Sequence, residues 1–264
     1  MKFLVQQQPA YIYTGGQPFD PAKPSIVFIH GAANDHSVWT LQARYFANHG
    51  FNALAVDLPG HGRSFAPAKS TIRQYSDWLI GLLDAGAIGK AVMVGHSMGS
   101  LIALDVAAQF PQRVAKLALL GVSVPMPVAD ALLDAARHRP QEAIDMLNIW
   151  GHASQIQRGA SPVPGTSVMR AYKCLLEKCS PGVLASDLAA CHEFILDGAQ
   201  LAAIQAKTLV LSGSRDMMTP PKANVLIAQQ IVNARLQSLS GIGHAMMQEA
   251  PGTVLDALRQ FVQP

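Results

Sequence analysis

One serine of this chain lies in a sequence context that could make it a nucleophile. Residues 95–99 read Gly-His-Ser-Met-Gly, with the apolar run 91–94 before them and a helical pattern that begins at Met98. A sharp turn between a strand and a helix would expose the Ser97 hydroxyl, and side chains in place of the two glycines would collide with neighbouring backbone. The N–H of Met98 would then face an oxyanion that forms on a substrate. This spacing predicts acyl-transfer chemistry at Ser97.

The strands and helices that must hold this serine alternate along the chain. Apolar runs predict strands at 2–6, 10–14, 25–29, 52–56, 91–95, 114–120, 207–212 and 235–239. Helical spacing of apolar residues predicts helices at 38–48, 70–85, 98–110, 221–231 and 253–262. Such alternation is typical of βαβ units, so we expect an α/β fold with a mainly parallel, buried sheet.

The alternation stops between residues 122 and 205. Only helical patterns stand out there, at 129–137, 141–150, 168–177 and 181–188. We therefore predict a core domain made of 1–121 and 206–264, with a helical insertion at 122–205 that packs over one end of the sheet.

Five short motifs carry a resemblance to a known family. They are His30-Gly31, the segment 57–64 (Asp-Leu-Pro-Gly-His-Gly-Arg-Ser), the segment 95–99, the segment 213–216 (Gly-Ser-Arg-Asp) and Gly243-His244. Over essentially its whole length the chain resembles the α/β-hydrolase fold superfamily. The resemblance implies a mainly parallel central sheet with helices on both faces, and it identifies the insertion at 122–205 with the family's helical cap. These motifs say less about the substrate.

The resemblance also implies a catalytic triad in the chain order Ser, Asp or Glu, His. A serine hydroxyl needs a base to take its proton, and the base needs a carboxylate to orient it. His244 follows the last predicted strand, where the family has its base, and Asp216 follows the strand before it. The family's other position for the acid lies after the strand 114–120, and no carboxylate is near it. The expected triad is therefore Ser97, Asp216 and His244.

The remaining histidines have structural interpretations. We expect His30 and His96 to be hydrogen-bonding groups beside the active-site turns, and His61 to belong to the turn after Asp57. His36 and His49 are expected at the surface. Contact with substrate stays open for the three histidines of the insertion, which are His138, His152 and His192.

The family resemblance gives the second oxyanion donor as the N–H of Ala32, with Ala33 as the alternative, beside the N–H of Met98. Small residues suit a loop whose backbone must approach a substrate closely. The cap and the sheet should enclose a mostly apolar pocket above Ser97. Candidate lining residues are Met98, Val122, Met126, Trp150, Met169, Met217 and Met246. Of these we expect substrate contacts from Met126, Trp150, Met217 and Met246, although core packing would explain methionines equally well.

Composition excludes several classes of protein. Half of the 264 residues are hydrophobic and 14% are charged, against a usual share of about 25%, so a mostly disordered chain is excluded. The net charge is +3 without a run of Lys or Arg, which speaks against nucleic-acid binding. The longest uncharged stretches, 91–104 and 117–129, are too short to span a membrane. The N-terminus lacks the apolar core of a signal peptide, so we expect a cytoplasmic protein.

The cysteines fit the same compartment. Three of them, an odd number, are typical of reduced thiols rather than of a disulfide framework. Cys174, Cys179 and Cys191, with His192, lack the paired spacing of a zinc site, so no metal is expected.

We predict a cofactor-free serine hydrolase that cleaves small, fairly apolar carboxylic esters through an acyl-enzyme. Its expected partner is a small-molecule substrate, and a homodimer stays open. Epoxide and haloalkane hydrolases of the family use Asp as nucleophile, whereas position 97 is Ser. Carbon–carbon bond hydrolases of aromatic ring-cleavage products are an alternative that keeps the serine triad, but they often carry Trp after the catalytic His, where this chain has Ala245. Perhydrolase or haloperoxidase activity, and a receptor-like protein that binds a small ligand, stay open as further hypotheses.

Overall fold

The computed structural model describes residues 1–263 and is built around a sheet of eight strands. Pro264, the last residue of the predicted core domain, lies outside the described residues. The strands are β1 (Lys2–Val5), β2 (Gln8–Tyr13), β3 (Ser25–Ile29), β4 (Asn52–Val56), β5 (Ala91–His96), β6 (Val114–Leu120), β7 (Lys207–Gly213) and β8 (Ala234–Leu239). Their order across the sheet is β1-β2-β4-β3-β5-β6-β7-β8. The pairs β1/β2 and β2/β4 are antiparallel and all other neighbours are parallel, which confirms the predicted mainly parallel α/β sheet.

Helices connect the strands and cover both faces of the sheet. They are α1 (Thr40–Ala47), α2 (Ile72–Ala85), α3 (Met98–Gln109), α4 (Asp130–His138), α5 (Pro140–Trp150), α6 (Ser154–Gln157), α7 (Val168–Leu176), α8 (Val183–Glu193), α9 (Gly198–Ala202), α10 (Pro221–Gln230), α11 (Met246–Glu249) and α12 (Pro251–Val262). The helices α6, α9 and α11 have four or five residues each, too few for apolar periodicity to reveal them.

Alternate residues of the central strands pack into two apolar clusters. On β5, Met93 joins the cluster that contains α2 and α3, whereas Val92 and Val94 join the cluster that contains α1 and α12. Helices on both faces explain why β3, β4 and β5 are buried at every position and read as continuous apolar runs.

The helix α3 holds Ser97 at its N-terminus. All residues from Met98 to Ala107 are buried, because α3 packs against β5, β6 and α2 and meets the insertion through α8. A helix that is largely apolar all round is typical of such an enclosed position. The helix that carries Ser97 at its N-terminus is therefore held in place by the sheet, by α2 and by α8.

The insertion consists of α4 to α9, between β6 and β7. It has an apolar cluster of its own, formed by α4, α5, α7 and α8 together with Ala33 from the loop after β3. This cluster lies above the carboxyl ends of the central strands, the edge of a parallel sheet where ligands usually bind.

The longest helix among residues 1–263 is α2, with 14 residues, and a helix needs about 20 to cross a bilayer. No helix of this described part has both the length and the apolar character for a membrane span.

Candidate active site

Ser97 lies at a strained turn between β5 and α3. Its backbone has φ 54° and ψ −118°, and its N–H donates to the carbonyl of Leu120 at 2.9 Å. Non-glycine residues rarely adopt such a φ, and the conformation costs about 1–3 kcal/mol unless the surroundings hold it. A Cβ at Gly95 would lie 2.1 Å from the carbonyl oxygen of Gly99, and one at Gly99 would lie 2.3 Å from that of Ile29. Both glycines are therefore needed for the turn to close.

We expect Gly95→Ala to lower the free energy of unfolding by about 1–3 kcal/mol or more, because its methyl group meets backbone that cannot move aside. Gly89→Ala is the matched control, since a Cβ at Gly89 meets nothing within 4 Å. Chemical denaturation of both variants measures the difference. Equal stabilities would contradict this account of the turn.

His244 and Asp216 are held together by short polar contacts at the ends of β8 and β7. The Nδ1 atom of His244 lies 2.8 Å from Oδ2 of Asp216. The hydroxyl of Thr219 donates to the same oxygen at 2.7 Å and lies 3.3 Å from His244 Nδ1. Backbone N–H groups of Met218 and Thr219 both donate to Oδ1 of Asp216 at 2.8 Å. All hydrogen-bonding positions of this buried carboxylate are thus in use.

This environment keeps Asp216 ionised. Burial by itself would raise the pKa of Asp216, but His244 and the donors of Thr219 outweigh it and hold the pKa below its ordinary value. A carboxylate acceptor requires a proton on Nδ1 of His244, so Nε2 is left with a free lone pair. In this tautomer His244 can act as a general base through Nε2.

His96 fixes the backbone of His244. Its Nε2 donates to the carbonyl of His244 at 2.9 Å, and the two ring centres are 4.7 Å apart. Burial, with a smaller effect of His244, lowers the pKa of His96 to about 3, so His96 is neutral. It positions the backbone of His244 and does not compete as a base.

Ser97 and His244 line the same pocket. Within residues 1–263 no hydrogen bond joins Ser97 Oγ to His244 Nε2. Catalytic hydrogen bonds often tighten only when substrate binds, so both side chains are available for such a contact.

Two backbone N–H groups beside Ser97 are free to bind an oxyanion. Neither Ala32 nor Met98 donates its N–H to another group of residues 1–263. The N–H of Ala33, in contrast, already donates to Oδ2 of Asp187 at 2.9 Å. The alternative donor Ala33 is therefore occupied, and Ala32, which lines the pocket, keeps its N–H available.

A cavity of about 150 Å³ lies between the insertion and the ends of the strands. Met126, Trp150 and Met217 line it together with Ser97 and His244. A volume of this size can hold a group as large as a benzene ring.

Four candidate lining residues are not part of this pocket. The expectation for Met246 was wrong: it is fully buried in the apolar cluster with α1 and α12, because α11 turns it away from the site. Met98 and Val122 pack in the opposite cluster, with α2 and α3. Met169 is also absent from the pocket wall, to which α7 contributes Tyr172 instead.

Sequence reasoning missed most of the pocket wall. The additional lining residues are Asn34, Pro127, Val128, Ala129, Leu132, Leu147, Gly151, Tyr172, Leu188, Cys191, Met218 and Thr219. Asn34 follows directly after Ala32 and Ala33, the two candidate oxyanion donors, and that position was a usable signal. Met218 and Thr219 lie in the loop that holds Asp216, so they too were close to a predicted site residue. The others come from helices of the insertion and from the segments next to these helices, and no local pattern reveals how they pack over the sheet.

The cysteines of the insertion do not form a ligand group. Burial raises the pKa of Cys179 to about 12, so without a metal ion it is a neutral thiol. His192 Nδ1 accepts the N–H of Val128 at 3.2 Å. Within residues 1–263, the only group of three or more His, Cys, Asp or Glu side chains close enough to share a metal ion is Asp35, His36 and Asp57, where His36 Nδ1 already contacts Asp57 Oδ1 at 2.7 Å.

Several characterised proteins are similar to this chain in sequence. The (E)-2-((N-methylformamido)methylene)succinate hydrolase of Acinetobacter baylyi is 26% identical to this chain over 245 residues, 90% of each protein. A 2-hydroxy-6-oxononadienedioate/2-hydroxy-6-oxononatrienedioate hydrolase of Burkholderia vietnamiensis is 28% identical, over 83% of this chain and 80% of its own length. A pimeloyl acyl-carrier protein methyl ester esterase of Aromatoleum aromaticum is also 28% identical, over 84% and 92%.

Solved structures show the same fold. The enol-lactonase from Burkholderia xenovorans superposes with a TM-score of 0.86 at 24% identity, with 99% of both chains covered. Residues 24–158, slightly more than half of the chain, match the sequence profile of the alpha/beta hydrolase fold family. With its sheet order and its serine turn, this chain belongs to the alpha/beta hydrolase fold family and is an enzyme of that family.

Proposed function

We propose that this enzyme is a serine hydrolase for small, fairly apolar carboxylic esters. The proposal rests on one arrangement above all: Ser97, on its strained turn, shares a pocket with His244, whose Nδ1 is held 2.8 Å from Asp216. Nucleophile, base and orienting carboxylate are the three groups that acyl transfer by a serine requires.

The reaction proceeds in two halves. Ser97 Oγ attacks the ester carbonyl while Nε2 of His244 takes its proton, and Asp216 stabilises the imidazolium that results. The N–H groups of Ala32 and Met98 bind the oxyanion of the tetrahedral intermediate. Collapse of the intermediate breaks the bond to the alkoxy oxygen, and His244 returns the proton to the leaving alcohol. A water molecule, deprotonated by His244, then attacks the acyl-enzyme, releases the carboxylic acid and restores Ser97.

The pocket and the relatives support this substrate class. The walls come largely from apolar side chains such as Met126, Leu132 and Leu147, and the cavity of about 150 Å³ has room for a short acyl group. One relative at 28% identity is a methyl ester esterase.

We expect a series of p-nitrophenyl esters to show falling kcat/KM as the acyl chain grows beyond the length that the cavity accepts. A methylene that fits or fails to fit in an apolar pocket changes kcat/KM by about tenfold or more. Steady-state rates from acetate to decanoate measure this profile. A flat profile, or a preference for the longest chain, would contradict a small pocket as the acyl site.

Cleavage of a carbon–carbon bond is the second candidate. It is favoured by the relative from Burkholderia vietnamiensis, a hydrolase of 2-hydroxy-6-oxononadienedioate. The residue after the base argues against it. Carbon–carbon bond hydrolases often carry Trp at this position, whereas Ala245 is buried and does not line the pocket. Turnover of a ring-cleavage product beside the ester series decides between the two.

Fast, repeated turnover of an ester also separates an enzyme from a receptor-like protein, which would give a single slow burst.

We expect activity to be insensitive to metal chelators. A triad and two N–H donors activate the nucleophile and stabilise the oxyanion without a Lewis acid. The test is ester turnover after prolonged incubation with EDTA and removal of the chelator. Lost activity that returns with zinc would contradict the proposed mechanism.

We further propose that 1–121 and 206–264 form the catalytic core and 122–205 the cap. The separate apolar cluster of α4, α5, α7 and α8 supports this division. A cytoplasmic location and a homodimer stay predictions from the sequence.

A further inference from the structure

A buried carboxylate of the insertion forms hydrogen bonds with the core, one of them at the loop after β3. Asp187, on α8, is fully buried and accepts three hydrogen bonds. The N–H of Ala33 and the Nε2 of His61 donate to Oδ2 at 2.9 and 2.8 Å, and the hydroxyl of Tyr75 donates to Oδ1 at 2.9 Å. These donors belong to the loop after β3, the turn after β4 and helix α2. One side chain of the insertion thus joins three elements of the core.

The contact with His61 is an ion pair. The other ring nitrogen of His61, Nδ1, lies 2.9 Å from the carbonyl of Pro59. A carbonyl and a carboxylate can only accept, so both nitrogens of His61 carry protons and the ring is positively charged. Burial works to lower the pKa of His61, but the charge and hydrogen bond of Asp187 outweigh it and raise the pKa above its ordinary value. A charged pair without access to water is held firmly in place, because separating it would leave a buried charge alone.

The contact with Ala33 bears on the oxyanion site. Ala33 has φ 55°, a conformation that alanine keeps only when its surroundings impose it. The amide group of Ala33 includes the carbonyl of Ala32, since the two share one peptide plane. Asp187 therefore fixes the peptide plane that follows Ala32, and with it constrains the backbone of Ala32, which lines the pocket.

We propose that Asp187 is a positioning residue for the oxyanion hole: it holds the Ala33 peptide so that the N–H of Ala32 points at the developing oxyanion. The inference rests on the serine hydrolase function proposed above. It means that the oxyanion hole is complete only while α8 of the insertion is docked on the core. The simpler interpretation is that Asp187 only fastens the insertion, without effect on the transition state.

Kinetics of Asp187→Ala separate these two interpretations. An oxyanion donor acts only in the transition state, so misdirecting the Ala32 N–H should lower kcat and kcat/KM together, by about 10²-fold, with KM nearly unchanged. A loosened insertion would instead disturb the pocket wall and raise KM with kcat retained. A wild-type kcat in folded Asp187→Ala overturns the proposal.

Asp187→Asn should rescue most of the activity. Its amide oxygen can occupy the place of Oδ2 and accept from Ala33 and His61, while its NH₂ group donates to the hydroxyl of Tyr75. We expect kcat within about tenfold of the wild type, since the Ala33 contact survives. An Asn variant as impaired as the Ala variant counts against positioning through this hydrogen bond.

Tyr75→Phe is the matched control. It removes the hydrogen bond to Oδ1 and leaves the Ala33 contact on Oδ2 in place. Its kcat should equal that of the wild type, and an equal loss in Tyr75→Phe and Asp187→Ala would show that Asp187 only fastens the insertion. If Asp187→Ala does not fold, Asp187→Ser takes its role, because its hydroxyl keeps the site polar but is too short to reach Ala33.

The same assay keeps this inference distinct from the proposed function. Esterase activity that survives in Ser97→Ala refutes the serine mechanism, whatever the Asp187 variants do. An inactive Ser97→Ala together with a fully active Asp187→Ala refutes only the role of Asp187.

Discussion

Replacing Ser97 by Ala is expected to abolish ester turnover, with a loss of about 10⁴–10⁶ in kcat. Without Oγ no acyl-enzyme can form, and His244 has no hydroxyl to activate. The fold should persist, because alanine keeps the Cβ that this turn already accommodates at φ 54° and does not affect the N–H that donates to Leu120. Steady-state kinetics on a p-nitrophenyl ester, with circular dichroism to measure folded protein, give the result.

A serine three residues further along α3 provides the control. The hydroxyl of Ser100 donates to the carbonyl of Gly95 at 2.8 Å and accepts the N–H of Leu120 at 3.1 Å. Ser100→Ala should cost about 1–3 kcal/mol of stability, because it leaves buried polar groups without a partner, and the folded fraction should keep its nucleophile. A fluorophosphonate probe should label the wild type and Ser100→Ala but not Ser97→Ala. Labelling of Ser97→Ala would assign the nucleophile to another residue.

Local rules of the chain made much of the fold predictable. The central strands β3 to β7 are apolar runs with a Gly or Pro at or shortly after their ends, and the predicted bounds of all eight strands agree with the structure to within about two residues. The turn at Ser97 was predictable for the same reason, since its glycines and its serine lie within five consecutive residues.

Contacts between distant parts of the chain were not predictable in this way. The hydrogen bond between Ala33 and Asp187 joins residues 154 positions apart, and nothing in the sequence of α8 marks its one buried aspartate as a partner of a backbone N–H. Met246 is the opposite case, a residue close to the site in sequence that was wrongly expected to be close to it in space. It lies two residues from His244 in sequence, but the short helix α11 directs it into the core, so closeness along the chain was a poor guide to the pocket.

Asp216→Asn is expected to keep the fold and lose about 10⁴ in kcat. The reason lies in the donors around the side chain. Two backbone N–H groups, of Met218 and Thr219, point at Oδ1, and they can only donate. The amide oxygen of an asparagine must therefore take the place of Oδ1, which puts its NH₂ group at Oδ2, facing Nδ1 of His244. Nδ1 then has to accept, and the ring proton moves to Nε2.

In that tautomer His244 can no longer take the proton of Ser97, because the lone pair of Nε2 is gone. The turn itself survives, since the hydrogen bonds to Oδ1 remain. If Asp216 served only to shape this turn, asparagine would replace it with little effect, because both residues suit turns. The two interpretations differ by orders of magnitude at a nearly isosteric position.

Asp57→Asn is the matched control, because Asp57 is another fully buried carboxylate at the end of a strand. Its oxygens accept from the backbone N–H and ring of His36 and from the N–H of Arg63, each at 2.7–2.8 Å, and Asp57 does not line the pocket. Asparagine there should cost about 1.5–3 kcal/mol of stability, the usual contribution of a hydrogen bond to a charged group, while the folded fraction keeps its kcat. Measuring kcat of both variants per folded molecule decides the matter. Near-normal turnover in Asp216→Asn would mean that another residue orients His244, whereas a loss of similar size in both variants would mean that buried charge, rather than the tautomer of His244, governs the rate.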